Sequence, residues 1–113
     1  MTFTPGSEYS QEEVDELVEE TLADNEVVLF MTGTELMPQC GYSQRAMELI
    51  GRHRETFETV DVLESLPEFR EALADRSGWE TIPQTYVDGE FVGGSDILAE
   101  LEERGELAET LST

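Results

Sequence analysis

Apolar and polar positions along this chain follow two rhythms. Val14, Leu17, Val18, Thr21 and Leu22 recur at three- and four-residue intervals, which predicts an amphipathic helix from about Ser10 to Ala23. Ser10 stands three residues before Glu13, the spacing of a capping box. Val27 to Met31 is an unbroken apolar run that begins with two β-branched residues. A short run of this kind fits a strand covered on both faces. Thr32, Gly33 and Thr34 interrupt it, and a loop containing Pro38 follows. Ala46, Met47, Leu49 and Ile50 then mark a second helix directly behind Cys40. Phe57 to Val62 alternates as a strand, and Ser65 to Arg76 reads as a helix with Leu66, Phe69 and Leu73 inward. Gln84 to Val87 and Glu90 to Val92, separated by Asp88-Gly89, predict a hairpin. Gly93-Gly94 closes it. Asp96 opens an amphipathic segment (Ile97, Leu98, Leu101) that ends near Gly105, and Leu107 and Leu111 imply a last helical turn or two.

The order is therefore α-β-α-β-α-β-β-α, with no internal repeat and no low-complexity linker. Two strands joined through a helix and followed by a hairpin predict an α/β fold: a four-stranded mixed sheet with helices on both faces. Residues 1–9, with Pro5 and Gly6 and no periodicity, are expected to form a flexible arm, leaving residues 10–113 as one domain.

Charge changes the picture. The 113 residues carry 27 acidic and 6 basic side chains, a formal charge of −21, with a mean hydropathy of −0.38. All the basic residues are arginine, and no lysine occurs. Composition alone fits a disordered acidic chain, but elements this regular, with turn residues where the pattern changes, argue for a folded one. The acidity then belongs to the surface and points to salty, halophilic surroundings, where screening mutes self-repulsion. A surface of this sign rules out non-specific binding to nucleic acid phosphates and argues against docking on anionic lipid. No apolar run reaches spanning length, and MTFTPGSEYSQEE lacks the regions of a signal peptide. A cytoplasmic protein is expected.

One cysteine excludes an intrachain disulfide, and with His53 the only histidine, a tetrahedral zinc site of the usual type is excluded too. A lone cysteine is most often a small buried hydrophobe. Cys40 instead follows a strand and a loop and directly precedes a helix. Unpaired backbone N–H groups and the positive helix end would favour its thiolate, as nucleophile or metal ligand. Ser43 stands where a CxxC pair would hold its second thiol, so a redox cycle here needs an external thiol. Thr81-Ile82-Pro83 leads into a strand; a cis bond there would expose the Ile82 backbone to an extended thiol peptide, while a plain strand-opening proline is the alternative. Gly93-Gly94-Ser95-Asp96 is either an ordinary glycine turn or a cradle, its amides holding a carboxylate and Asp96 an ammonium.

Together VVLFMTGT, PQCGYS, GWETIPQTYVDGEFVGGSDI and RGEL resemble the monothiol glutaredoxins with a CGFS active site, over about Asn25 to Leu111. The resemblance implies a thioredoxin-like fold. It also implies a [2Fe-2S] cluster ligated by Cys40 and by glutathione or a related γ-glutamyl thiol, bridged in a homodimer and handed to apo iron–sulfur proteins. By the same resemblance, Ile82, before a cis Pro83, would pair with the thiol's cysteinyl unit. Ser95 and Asp96 would bind its γ-glutamyl end and Arg70 its glycine carboxylate, with Trp79 as packing. The alternatives are a glutathione-dependent thiol–disulfide oxidoreductase acting on mixed disulfides through Cys40, and a non-catalytic adaptor docking through Ile82–Pro83. Three positions depart from the family pattern. Tyr42 replaces phenylalanine, Ser95 stands where a second cysteine is often found, and Thr32 stands where a lysine usually flanks the active site.

Overall fold

The capping box is present in the computed structural model, which describes residues 9–112. Ser10 Oγ accepts the Glu13 N–H at 3.2 Å, and Glu13 Oε1 accepts the Ser10 N–H at 3.0 Å. Helix α1 (Gln11–Asp24) follows and buries Val14, Val18 and Leu22. Residues 1–8, the bulk of the expected arm, lie outside the described residues. Tyr9, assigned to that arm, instead packs against the core and donates its N–H to Ser65 Oγ at 2.9 Å.

After α1 come β1 (Val27–Met31), α2 (Gly41–Gly51), β2 (Glu58–Asp61), α3 (Leu66–Ser77), β3 (Gln84–Val87), β4 (Glu90–Gly93), α4 (Ser95–Glu103) and α5 (Leu107–Leu111). The sheet order is β2-β1-β3-β4. β1 runs parallel to β2 and antiparallel to β3, and β3 pairs antiparallel with β4. The hairpin turns on Asp88 and Gly89, both at positive φ (52° and 80°), the backbone that an Asp-Gly pair tolerates best. The one element without a sequence signal is a 3-10 turn at Leu63–Ser65 leading into α3.

β1 is buried along its whole length, and the pleat sends alternate residues to opposite faces. Val28 and Phe30 join the α1 and α3 side chains in one core layer, with Phe69, Leu73 and Tyr86. Val27, Leu29 and Met31 join a second layer with Leu49, Ile50, Leu98, Leu107 and Leu111 from α2, α4 and α5. The arrangement is the thioredoxin-like mixed sheet that the resemblance implies.

Phe30 anchors the first layer. It is fully buried, edge-on to Tyr86 with centroids 5.6 Å apart, and 6.3 Å from Phe69. Phe30→Ala should cost about 3–5 kcal/mol, from lost transfer energy plus the cavity left behind. Urea unfolding measures it, and a loss below about 1 kcal/mol would show that the layer collapses to fill the gap.

Candidate functional site

The chain leaves β1 and doubles back before reaching the cysteine. Thr34 and Met37 exchange backbone hydrogen bonds (3.2 and 3.1 Å), and Gln39 N–H returns to Thr32 O at 3.0 Å. This closed loop delivers Cys40 to the N-cap of α2 in extended backbone (φ −148°, ψ 136°). Its carbonyl accepts the Gln44 N–H at 3.0 Å, so the helix starts at the cysteine.

Cys40 is half-buried, not a core residue. The Ser43 backbone N–H, aimed at the sulfur, is the largest influence on the thiol and lowers its pKa. Partial desolvation opposes this, while the Tyr42 N–H and the Thr32 and Ser43 hydroxyls add to the lowering. Ser43 is itself buried. Its Oγ accepts the Thr32 N–H at 3.1 Å and lies 3.3 Å from Thr32 Oγ1, tying the end of β1 to the first turn of α2.

A lowered pKa enlarges the thiolate fraction at neutral pH, so alkylation of Cys40 should persist to lower pH than for an ordinary thiol, which titrates near about 8.5. Thr32→Val or Ser43→Ala removes a hydroxyl donor and should move the profile back upward. The backbone donors remain, so the return is partial. Iodoacetamide rates against pH, read by mass spectrometry, check this; a wild-type midpoint at or above that of free cysteine would contradict it.

Beside this corner runs a groove of about 470 Å³. Trp79, Thr81, Ile82 and Pro83 form one wall, and the start of α4 from Gly94 to Ile97 forms the other. Tyr42, two residues from the cysteine and largely exposed, also lines it. The Ile82–Pro83 peptide is cis. The walls approach closely at Gly94, and Gly93 lets α4 fold tightly back over the end of β4. A Cβ on Gly94 would lie 3.0 Å from the Pro83 carbonyl oxygen, and one on Gly93 (φ +152°) would lie 2.5 Å from Ile97 Cβ.

Gln84 braces the first wall. Its Nε2 donates to the carbonyls of Trp79 (2.8 Å) and Thr81 (3.1 Å), and its Oε1 accepts the Tyr86 hydroxyl at 2.8 Å. Trp79, expected as packing, is 48% exposed. Its ring meets Phe91 at a tilt of 58° with centroids 5.6 Å apart, and the residue also lines the groove.

Of the residues singled out from sequence, the groove therefore gathers Ile82, Pro83, Ser95 and Asp96, with Cys40 adjoining through Tyr42. Ser95 is buried at the first position of α4, and Asp96 follows it, exposed in the first turn. Arg70 is not among the lining residues; it lies exposed on α3. Sequence reasoning missed the part played by the Thr32 and Ser43 hydroxyls and by Gln84. Only Gln84 carried a signal, as a long polar side chain opening an otherwise buried strand. Among the described residues, no three His, Cys, Asp or Glu side chains converge to hold a metal ion.

A mixed sheet of this order, with one accessible thiol capping a helix beside a cis-proline groove, defines a thiol protein of the glutaredoxin type. The glutaredoxin family model matches residues 27–92. A monothiol glutaredoxin of Synechocystis (ycf64-like, uncharacterized) is 48% identical over 94 residues, covering 83% of this chain and 87% of that one. Glutaredoxin 4 of Escherichia coli K12 is 38% identical over 96 residues, covering 85% and 83%. The solution structure of reduced poplar apo GrxS14 superposes with a TM-score of 0.76 at 39% identity, covering 88% of this chain and 91% of that one. The chain belongs to the glutaredoxin family, in its monothiol branch.

Proposed function

We propose that this protein binds and transfers a [2Fe-2S] cluster, with Cys40 and a low-molecular-weight γ-glutamyl thiol as ligands on each of two copies of the chain. The observation that carries the reading is the isolation of Cys40: it is the only cysteine, it is accessible, and its surroundings favour the thiolate. A [2Fe-2S] cluster takes four protein-type ligands, generally thiolates. One chain supplies one, so two chains and two external thiols complete the set. The adjoining groove offers that external thiol a place, with Ile82 and Pro83 beside its cysteinyl unit and Ser95 and Asp96 at its γ-glutamyl end. Arg70, exposed on α3 and outside the lining, is proposed for its glycine carboxylate. Apo iron–sulfur proteins are the proposed acceptors.

Anaerobic reconstitution with iron, sulfide and glutathione should give a brown dimer with visible absorption bands. A colourless monomer under every thiol condition would overturn the reading.

The lowered Cys40 pKa also favours a second activity. The Cys40 thiolate would attack the glutathionyl sulfur of a protein–glutathione disulfide, releasing the protein thiolate and forming a Cys40–glutathione disulfide. A second glutathione thiolate would attack that disulfide, giving oxidised glutathione and free Cys40. Ser43 takes no covalent part. Rapid turnover in a glutathione-coupled assay would favour this activity, and slow turnover the carrier.

A further inference from the structure

We propose that Asp61, at the end of β2, is a positioning residue for the Cys40 thiol: its carboxylate fixes the Thr32–Gly33 peptide, which brings the loop after β1 back to the head of α2. The role serves either activity proposed above, since both start from Cys40. It is tested without a cluster, so its failure and that of the carrier reading are told apart.

Asp61 is one of 27 acidic residues and lies exposed, so composition gives it no distinction. Its hydrogen bonds do. The β1–β2 ladder ends at the Met31–Asp61 pair, where the Val62 N–H donates to the Met31 carbonyl at 2.9 Å. Two residues beyond Met31, the Gly33 N–H donates to Asp61 Oδ1 at 2.9 Å. The same oxygen accepts the Leu63 N–H at 3.0 Å, which holds the carboxylate over its own turn.

A trans peptide points its N–H and its C=O in opposite directions. The carbonyl joined to the Gly33 nitrogen is that of Thr32, and it accepts the Gln39 N–H at 3.0 Å. One rigid unit is thus held from both sides, by Asp61 on one and by the residue before Cys40 on the other. Rotating it would break both bonds. The fit is close: a Cβ on Gly33 (φ +91°) would lie 2.5 Å from both the Gln39 nitrogen and the Met37 carbonyl oxygen. Thr32 itself donates its N–H to Ser43 Oγ at 3.1 Å, and its hydroxyl is among the donors to the Cys40 thiol. Removing the Asp61 acceptor frees the unit to turn, and Thr32, Gln39 and Cys40 lose their common register. Asp61 lies at the surface, where water can replace it as acceptor, so the fold survives while the loop loosens.

Amide exchange by NMR and the rate of Cys40 alkylation by iodoacetamide at neutral pH test this on Asp61→Ala and Asp61→Asn proteins. In Asp61→Ala, exchange at Gln39 should speed about tenfold through local opening, with the β1 amides unchanged. Alkylation should slow about threefold as the thiol loses its donors. Loss of a negative charge would by itself favour the thiolate and speed the reaction, so slowing reports the lost position. Asp61→Asn loses the same charge but keeps Oδ1. It should exchange Gln39 as the wild type does and react at least as fast. Wild-type Gln39 exchange or wild-type alkylation in Asp61→Ala overturns the proposal. So does Asp61→Asn behaving like Asp61→Ala, or exchange rising equally along β1, which would mark a bond that supports the sheet alone.

Discussion

Cys40→Ser protein should come through reconstitution colourless and monomeric, with its fold intact. Iron in such clusters is held by thiolates, and a serine hydroxyl stays protonated at neutral pH, so the substitution removes the one ligand each chain can give. With both chains so altered, only the free thiols would remain on the cluster, and nothing would tie one copy to the other. Misfolding would not explain the loss. Cys40 occupies an N-cap position where its sulfur faces the Ser43 N–H without forming a full capping bond, whereas serine is among the residues best suited to cap there. The melting temperature of the variant should therefore equal or exceed that of the wild type. Visible absorption and mass by light scattering decide the matter; a coloured, dimeric Cys40→Ser protein would remove Cys40 from the ligand set.

The melting temperature should climb by roughly 8 °C or more between 0.1 and 2 M KCl. Helix α1 shows why. Its Glu12, Glu13, Asp15, Glu16, Glu19, Glu20 and Asp24 are all exposed, and no basic residue stands in its last turn. Glu12–Glu16, Asp15–Glu19, Glu16–Glu20 and Glu20–Asp24 are like charges four residues apart, each costing about 0.2–0.5 kcal/mol at low salt. Asp24 also sits at the negative end of the helix dipole. Shrinking the Debye length from about 10 Å to about 2 Å relieves most of this. The pairs named return about 1–2 kcal/mol together, and each kcal/mol moves the midpoint of a domain near this size by about 4–8 °C. Melting temperatures flat across molar KCl would contradict a surface adapted to salt.

Where local signals suffice, sequence and structure agree closely. β1 spans Val27–Met31 as read, because an unbroken apolar run is unambiguous once Thr32 and Gly33 end it. The Ser10–Glu13 box and the Asp88-Gly89 turn likewise carry their geometry in neighbouring residues. The site was legible only in pieces. Cys40 could be placed at a helix start from spacing, but Thr32 and Ser43, eleven residues apart, meet only when the loop after β1 folds back. Trp79 fits packing when read from its neighbours, and its exposure becomes evident only with Phe91 tilted against it. Arg70 stands apart from the others: it lies exposed on α3 outside the groove lining, and its position along that helix does not say how far its side chain reaches toward a groove built by other elements. Tyr9 joins the core through a bond to Ser65, fifty-six residues away, which no local pattern announces.

The two core layers share the sheet, and β1 divides its side chains between them. The acidic helix α1 lies on one face, while α2 and α4, whose first turns carry Cys40, Ser95 and Asp96, lie on the other. Substitutions on α1 should therefore combine additively with those on α2 or α4, as separate sites without shared partners do. A lineage could recharge the exposed side of α1 step by step while the thiol groove stayed under its own selection. Because those charges sit on the outer side of α1, away from the core layer that α1 shares with Ile82 and Phe91, adaptation to the solvent leaves the supports of the groove in place.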